Sequence, residues 1–225
     1  MHKPQLLIAL ASASGVAALA HLEMREYNRT ERIVENFTMS GVFNIHAQLC
    51  LPFKPPERTA DLGQIASHGA HYDSRYWDVQ LDPEERSWAN TALREGYGIL
   101  TYDRLGAGQS DHPDAYQVVQ AELELDVLRS ITQLARKGTF YRTDAPLRIT
   151  HVGHSFGSFL TSAFIARFIK LSDAAVITSY VATDLLGSVG TSPWSVQYAA
   201  DARPGFDGGS GYVLNQKSGI HDRCR

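Results

Sequence analysis

The run Gly153-His154-Ser155-Phe156-Gly157 restricts the fold of this chain more than any other segment. It stands between a strand-like apolar run, Leu147 to Val152, and a helix-like run marked by Phe159, Leu160, Ala163, Phe164 and Phe168. A residue held between a strand end and a helix start sits on a strained turn that brings the residues two before and two after it into close contact. Gly153 and Gly157 are small enough for that contact. Ser155, at the tip of the turn, is a candidate nucleophile.

The rest of the chain alternates strand and helix signals. Ile45, Ala47, Leu49 and Leu51 alternate with His46, Gln48 and Cys50, the period of a half-buried strand that Pro52 ends. Leu62 to Ser67 reads as a strand running into His68-Gly69. Asp82 as N-cap, Pro83 at the first helical position and Glu85 closing a capping box predict a helix that carries Trp88, Ala89, Ala92 and Leu93 on one face and stops at Gly96. Tyr97 to Tyr102 is a strand of the kind a parallel sheet buries on both faces. Leu123, Val127, Ile131 and Leu134 form the stripe of a helix with acids early, Arg136 and Lys137 late, and Gly138 as its stop. Ala174 to Ala182 predicts one more strand. The pattern is that of an α/β fold with a mainly parallel sheet and helices on both faces, whose ligand sites lie beyond the carboxyl ends of the strands. Ser155 is at such an end.

With 225 residues, 44% of them hydrophobic and 20% charged, the chain can bury one sizeable core. A net charge of −3 with interspersed signs argues against a nucleic-acid surface or a polybasic membrane patch. Residues 1–20 read as a secretory signal peptide: Lys3 leads, Leu6 to Ala11 is apolar, and Ala18-Leu19-Ala20 fits a cleavage site. The mature chain is then expected to begin near His21, to be secreted, to carry no stable membrane anchor, and to offer glycosylation sites at Asn28 and Asn36. Cys50 and Cys224 alone make no framework, so no structural disulfide is expected. No H-E-x-x-H motif or cysteine cluster points to a metal, and no cofactor is expected.

Three motifs follow one another in order: His68-Gly69, Asp103-Arg104-Leu105-Gly106-Ala107-Gly108-Gln109-Ser110, and Gly153-His154-Ser155-Phe156-Gly157. From about Arg32 to Asp184 the chain resembles the α/β-hydrolase superfamily, of the serine esterase, lipase or peptidase type. That resemblance implies the α/β-hydrolase fold, and Ser155 attacking a small-molecule or lipid-like acyl substrate to form an acyl-enzyme. The first oxyanion donor would be Phe156 N–H. The second, implied by resemblance, is Ala70 N–H, with His71 as the near alternative. His68 is expected to brace its loop, and residues 103–110 to be architectural. Tyr72 and Tyr102, with Tyr76 and Trp77, either line an acyl pocket or belong to the core. Serine at position 155 disfavours aspartate-nucleophile chemistry such as epoxide or haloalkane opening.

In that fold the order is serine, acid, histidine, so both partners should follow Ser155. Asp184, at the end of the strand after the turn, is the candidate acid, against a reading as a solvated or capping aspartate. His154 adjoins the serine and points elsewhere, and His71 and His112 come too early. The base is either His221 or a residue beyond Arg225. Residues 21–184 are read as the N-terminal part of the hydrolase core, and 185–225 as a partial lid or irregular segment. The C-terminal strands and most of the lid are expected to be missing. The leading expectation is a secreted serine hydrolase; the alternative is a non-catalytic remnant or truncated product without a complete triad.

Overall fold

Three apolar runs make the middle of a five-stranded sheet: Leu62–Ser67 (β4), Gly98–Tyr102 (β5) and Arg148–His154 (β6). The computed structural model describes residues 38–53, 62–140, 146 and 148–180, together with the backbone of 6–14, 196–198 and 213–215. β5 and β6 flank β4 in parallel register, and Ala174–Thr178 (β7) continues the parallel set beside β6. Ala47–Cys50 (β3) runs antiparallel to β5 at the other edge.

Alternate residues of the central strands enter two cores. Ile65, Leu100 and Ile149 pack with Leu123, Val127, Leu128 and Ile131 of the helix Ala121–Arg136 (α3), and with Leu160 and Phe164 of Phe156–Arg167 (α4). Ala66, Ile99 and Val152, on the opposite face, pack with Trp77, Ala89 and Ala92. Helices therefore cover both faces, and β5 is buried along its whole length, as an inner parallel strand requires.

The expected strand through Ile45–Leu51 divides at His46. The His46 carbonyl accepts the Asp103 N–H at 2.9 Å and its own N–H donates to Ser110 Oγ at 3.0 Å. The 103–110 loop thus captures the backbone that a continuous strand would use. Before the break, Thr38–Ile45 (β2) pairs antiparallel with Leu6–Ser14 (β1) rather than with the main sheet. β1 lies within the residues read as a signal segment.

The predicted helix from Asp82 is two helices, Pro83–Arg86 (α1) and Trp88–Arg94 (α2). Asp82 and Pro83 open α1 at the expected positions, but the Asp82 side chain makes no capping bond; α2 has its own N-cap in Ser87, whose Oγ accepts the Asn90 N–H at 2.9 Å and donates to the Asp78 carboxylate at 2.8 Å. Gly96 and Gly138 end α2 and α3 as expected. Each has positive φ, and the next residue's N–H reaches back to Ala92 O and Leu134 O respectively, closing Schellman motifs.

β7 stops at Thr178, short of Ala182, because Ser179 turns the chain at φ 50°. Its residues are largely exposed on the outer edge. Val196–Tyr198 (β8) and Val213–Asn215 (β9) form a separate antiparallel pair. Cys50, buried at the end of the edge strand β3, is disulfide-bonded, which corrects the expectation of no structural disulfide. Cys224, the other cysteine of the sequence, lies outside the described residues.

His151, fully buried on β6, joins the layers. Thr132 Oγ1 gives its hydrogen to Leu128 O, so it accepts from His151 Nε2 at 2.9 Å, while Nδ1 faces Ser172 Oγ at 2.8 Å. Burial lowers its pKa to about 4, with the Arg136 charge acting the same way. The unfolded chain therefore takes up this proton first, below about pH 6.5, and acid pulls the equilibrium toward unfolding until the folded pKa is reached. Stability is expected to fall between pH 6.5 and 4 by on the order of 3 kcal/mol through His151. Thermal melts across that range check it, and His151→Gln should reduce the slope without abolishing it, because the buried His68, its pKa lowered to about 3, acts with the same sign over the same range.

Candidate active site

β6 delivers His154 to the carboxyl end of the sheet, and the chain then reverses sense at a single residue. Ser155 has φ 52° and ψ −118°, and α4 begins at Phe156. A side chain in that region costs about 1–3 kcal/mol, so surrounding contacts must over-determine it. The end of β7 supplies them. Thr178 O accepts both the Ser155 N–H at 3.0 Å and the Ser158 hydroxyl at 2.7 Å. Thr178 N–H donates to Ser158 Oγ at 3.1 Å, and Thr178 Oγ1 donates to Gly153 O at 2.9 Å. Ser155 itself makes no side-chain capping bond to α4, so its hydroxyl is not consumed by the helix it precedes.

The glycines are sterically required. A Cβ on Gly153 would lie 2.5 Å from Gly157 O; one on Gly157 would lie 2.0 Å from Ser67 O and 2.7 Å from His68 O. A Cβ on Gly69 would come within 3.0 Å of Ser155 Cβ, so the Gly69–Ala70 segment after β4 lies directly against the serine. Ser155, Phe156 and Ala70 are all partly exposed at this end of the sheet.

His68 is completely buried beneath that segment. Its Nε2 accepts the Arg104 N–H at 3.0 Å, which leaves the ring proton on Nδ1 to donate to Gly69 O at 2.9 Å. Burial first, and the neighbouring Arg104 charge second, lower its pKa to about 3, so the ring is a neutral strut. Arg104 Nη1 donates to both carboxylate oxygens of Glu124 on α3, at 3.0 and 2.8 Å, and burial pushes the Glu124 carboxyl above its usual range despite this partner. The 103–110 loop closes on the buried Asp103, whose carboxylate accepts the N–H groups of Ser74 and Gln109, each at 2.7 Å.

Aromatic side chains stand beside the turn. Tyr76 stacks on His154 with centroids 4.3 Å apart, and Tyr72 meets Tyr76 at 5.0 Å. Because Thr178 Oγ1 gives its hydrogen to Gly153 O, His154 Nδ1 donates to Thr178 Oγ1 at 3.1 Å, and the ring is turned to that partner. Of the two readings of Tyr102, pocket wall or core, the structure gives the core. It is 1% exposed in the core, its hydroxyl bonded to Ser67 Oγ at 2.9 Å, and burial pushes its pKa up to about 12. As the last residue of an inner strand, it points into a layer rather than beyond the sheet end. Tyr72, on the loop past β4, stays near the site.

Asp184 and His221 lie outside the described residues. Sequence reasoning did not single out Ser158, Thr178 or Glu124. Ser158 sits three residues from Ser155, but its partner on β7 has no local signal in the sequence.

Residues 65–221 match the family model described as the alpha/beta hydrolase family, and the chain belongs to that family. No curated protein matches the sequence. Among solved structures, the proline iminopeptidase of Mycobacterium smegmatis is similar at 18% identity and a TM-score of 0.52, over 67% of this chain and 45% of that one. Est1E of Butyrivibrio proteoclasticus with bound ferulic acid is 19% identical, TM-score 0.48, over 77% and 64% respectively. A Vigna radiata epoxide hydrolase is 16% identical, TM-score 0.46, over 61% and 36%. The chain thus spans less than two thirds of the length of each of these structures.

The turn geometry sets two stability changes of opposite sign. Ser155→Gly relieves the positive φ and is expected to stabilise by about 1–2 kcal/mol. Gly157→Ala forces a Cβ into two backbone carbonyls and is expected to cost more than about 4 kcal/mol. Denaturant unfolding of the two variants beside the parent chain tests the pair.

Proposed function

We propose that this chain is a secreted serine hydrolase acting on a carboxylic ester or related acyl substrate through an acyl-enzyme on Ser155. The observation that carries the reading is the serine at φ 52° and ψ −118° between β6 and α4, with glycines on both sides that admit no Cβ. A strained residue in a turn that four hydrogen bonds tie to Thr178, one of them from Ser155 itself, suits a group that must be displayed.

In this reading Ser155 Oγ attacks the substrate carbonyl carbon and passes its proton to a general base. The carbonyl oxygen becomes an oxyanion that accepts from Phe156 N–H, the first amide of α4 and one without an intrahelical acceptor, and from Ala70 N–H. Collapse expels the alcohol, and water then opens the acyl-enzyme by the same steps. Each oxyanion donor is worth about 3–4 kcal/mol in such sites. The proposal assigns the acid to Asp184 and leaves the base to His221 or to a residue beyond Arg225. Tyr72 is the proposed wall of the substrate site. Serine rather than aspartate at position 155 favours acyl transfer over epoxide opening, and the likeness to the peptidase supports the fold alone.

Turnover of a short-chain p-nitrophenyl ester tests the reading. Ser155→Ala is expected to lower kcat by at least about 10³-fold. Equal turnover by the variant would refute Ser155 as nucleophile, and an inactive, cooperatively folded parent chain would favour the non-catalytic alternative.

The secreted half of the proposal draws support from Lys3, the apolar run after it, Ala18-Leu19-Ala20, the sequons at Asn28 and Asn36, and the disulfide at Cys50. It also predicts that β2 loses β1 as a partner on maturation. Expression in a eukaryotic secretory host should yield protein in the medium whose N-terminus is near His21 and whose mass falls on endoglycosidase treatment. Retention inside the cell with residues 1–20 intact would contradict it.

A further inference from the structure

Arg104 touches both halves of the region assigned to the oxyanion. Its Nη2 lies 3.5 Å from Gly69 O, and its guanidinium sits 4.5 Å from the centroid of the Phe156 ring. Its backbone N–H fixes the His68 tautomer, so that Nδ1–H is available to hold the same Gly69 carbonyl. The two Glu124 oxygens anchor the guanidinium from α3.

A trans peptide is a flat plate with its C=O and N–H on opposite edges. Gly69 O and Ala70 N–H belong to one such plate. Donors that hold the carbonyl on the buried side therefore turn the Ala70 N–H to the other side, where Gly69 abuts Ser155. At 3.5 Å the Arg104 bond is at the outer limit of hydrogen-bond geometry, and the shorter His68 bond supplies direction. The cation over the Phe156 ring restrains the start of α4, whose first amide is the second proposed donor.

We propose that Arg104 is a positioning residue for both oxyanion donors, holding the Gly69–Ala70 peptide and the Phe156 end of α4 so that their N–H groups converge at Ser155. The proposal rests on the reading of Ser155 as nucleophile. Stability alone is a poor account of this residue, since a buried arginine–glutamate pair is often replaced by apolar side chains without loss. Exposures of 11% for Arg104 and 6% for Glu124 make this such a pair.

Arg104→Met keeps the packing volume and removes the charge and the donors. The readouts are kcat and KM for the nitrophenyl ester, scaled to phosphonate-titrated sites, and the ratio of ester to thionoester turnover. A thiocarbonyl sulfur is a poor acceptor, so that ratio reports the oxyanion donors. The expected result is a kcat lower by about 10- to 100-fold, somewhat less than deletion of a whole donor, with KM within about threefold. The ester preference should shrink in parallel, and Arg104→Lys should recover part of both. The amide signals of Ala70 and Phe156 in ¹H–¹⁵N spectra should move or broaden in Arg104→Met. Unchanged kcat per titrated site, an unchanged ester-to-thionoester ratio and unmoved amide signals in a folded variant would overturn the proposal. If the parent chain shows no Ser155-dependent turnover, the hydrolase reading fails by itself, and the two amide signals alone decide the positioning role. If Arg104→Met does not fold, Arg104→Lys carries the same test with a smaller factor.

Discussion

The arrangement depends on a contact that leaves no room for a carbon atom. Gly157, in the first turn of α4, lies against the carbonyls of Ser67 and His68 at the end of β4, where a Cβ would be 2.0 and 2.7 Å from the two oxygens. That closeness lets a helix start immediately beside the central strand, which in turn requires the sharp reversal at Ser155. The strain of the reversal is held by the Thr178–Ser158 clamp from β7. The cost of the turn and its display of one hydroxyl are two aspects of the same packing constraint.

Parallel register gathers the other pieces. Ser67 on β4 lies opposite both Tyr102 on β5 and Gly153 on β6, so His68, Asp103 and the Ser155 turn leave the sheet at one level. Each carries a different load. The buried Asp103 carboxylate closes its own loop by accepting backbone N–H groups, neutral His68 links a fixed amide to a fixed carbonyl, and Arg104 spans the loop and α4. A cationic His68 beside Arg104 would be doubly penalised, by burial and by like charge, and the ring works as a strut because it stays neutral.

Features governed by short-range sterics were legible in the sequence. Gly96 and Gly138 ended their helices, Gly153 and Gly157 marked the turn, and the apolar periods of β4, β5, α3 and α4 gave the alternation of the fold. The misread features were decided by residues far away in the chain. His46 broke a strand because Ser110 and Asp103 take its backbone, and the single helix expected from Asp82 divides where Ser87, held by Asp78, caps a second one. Tyr102, readable as pocket wall or core, follows the burial of its strand. The Arg104–Glu124 pair spans 20 residues and the Ser158–Thr178 bond likewise, separations at which no local pattern signals contact.

The central claim is that Ser155 is a displayed, reactive nucleophile. Treating the intact chain with a fluorophosphonate and mapping the product by peptide mass spectrometry tests it most directly. The account predicts one phosphonyl adduct per chain, located on Ser155 and absent from chain denatured beforehand. An adduct on another residue, or no adduct on a chain shown to be folded, would contradict it.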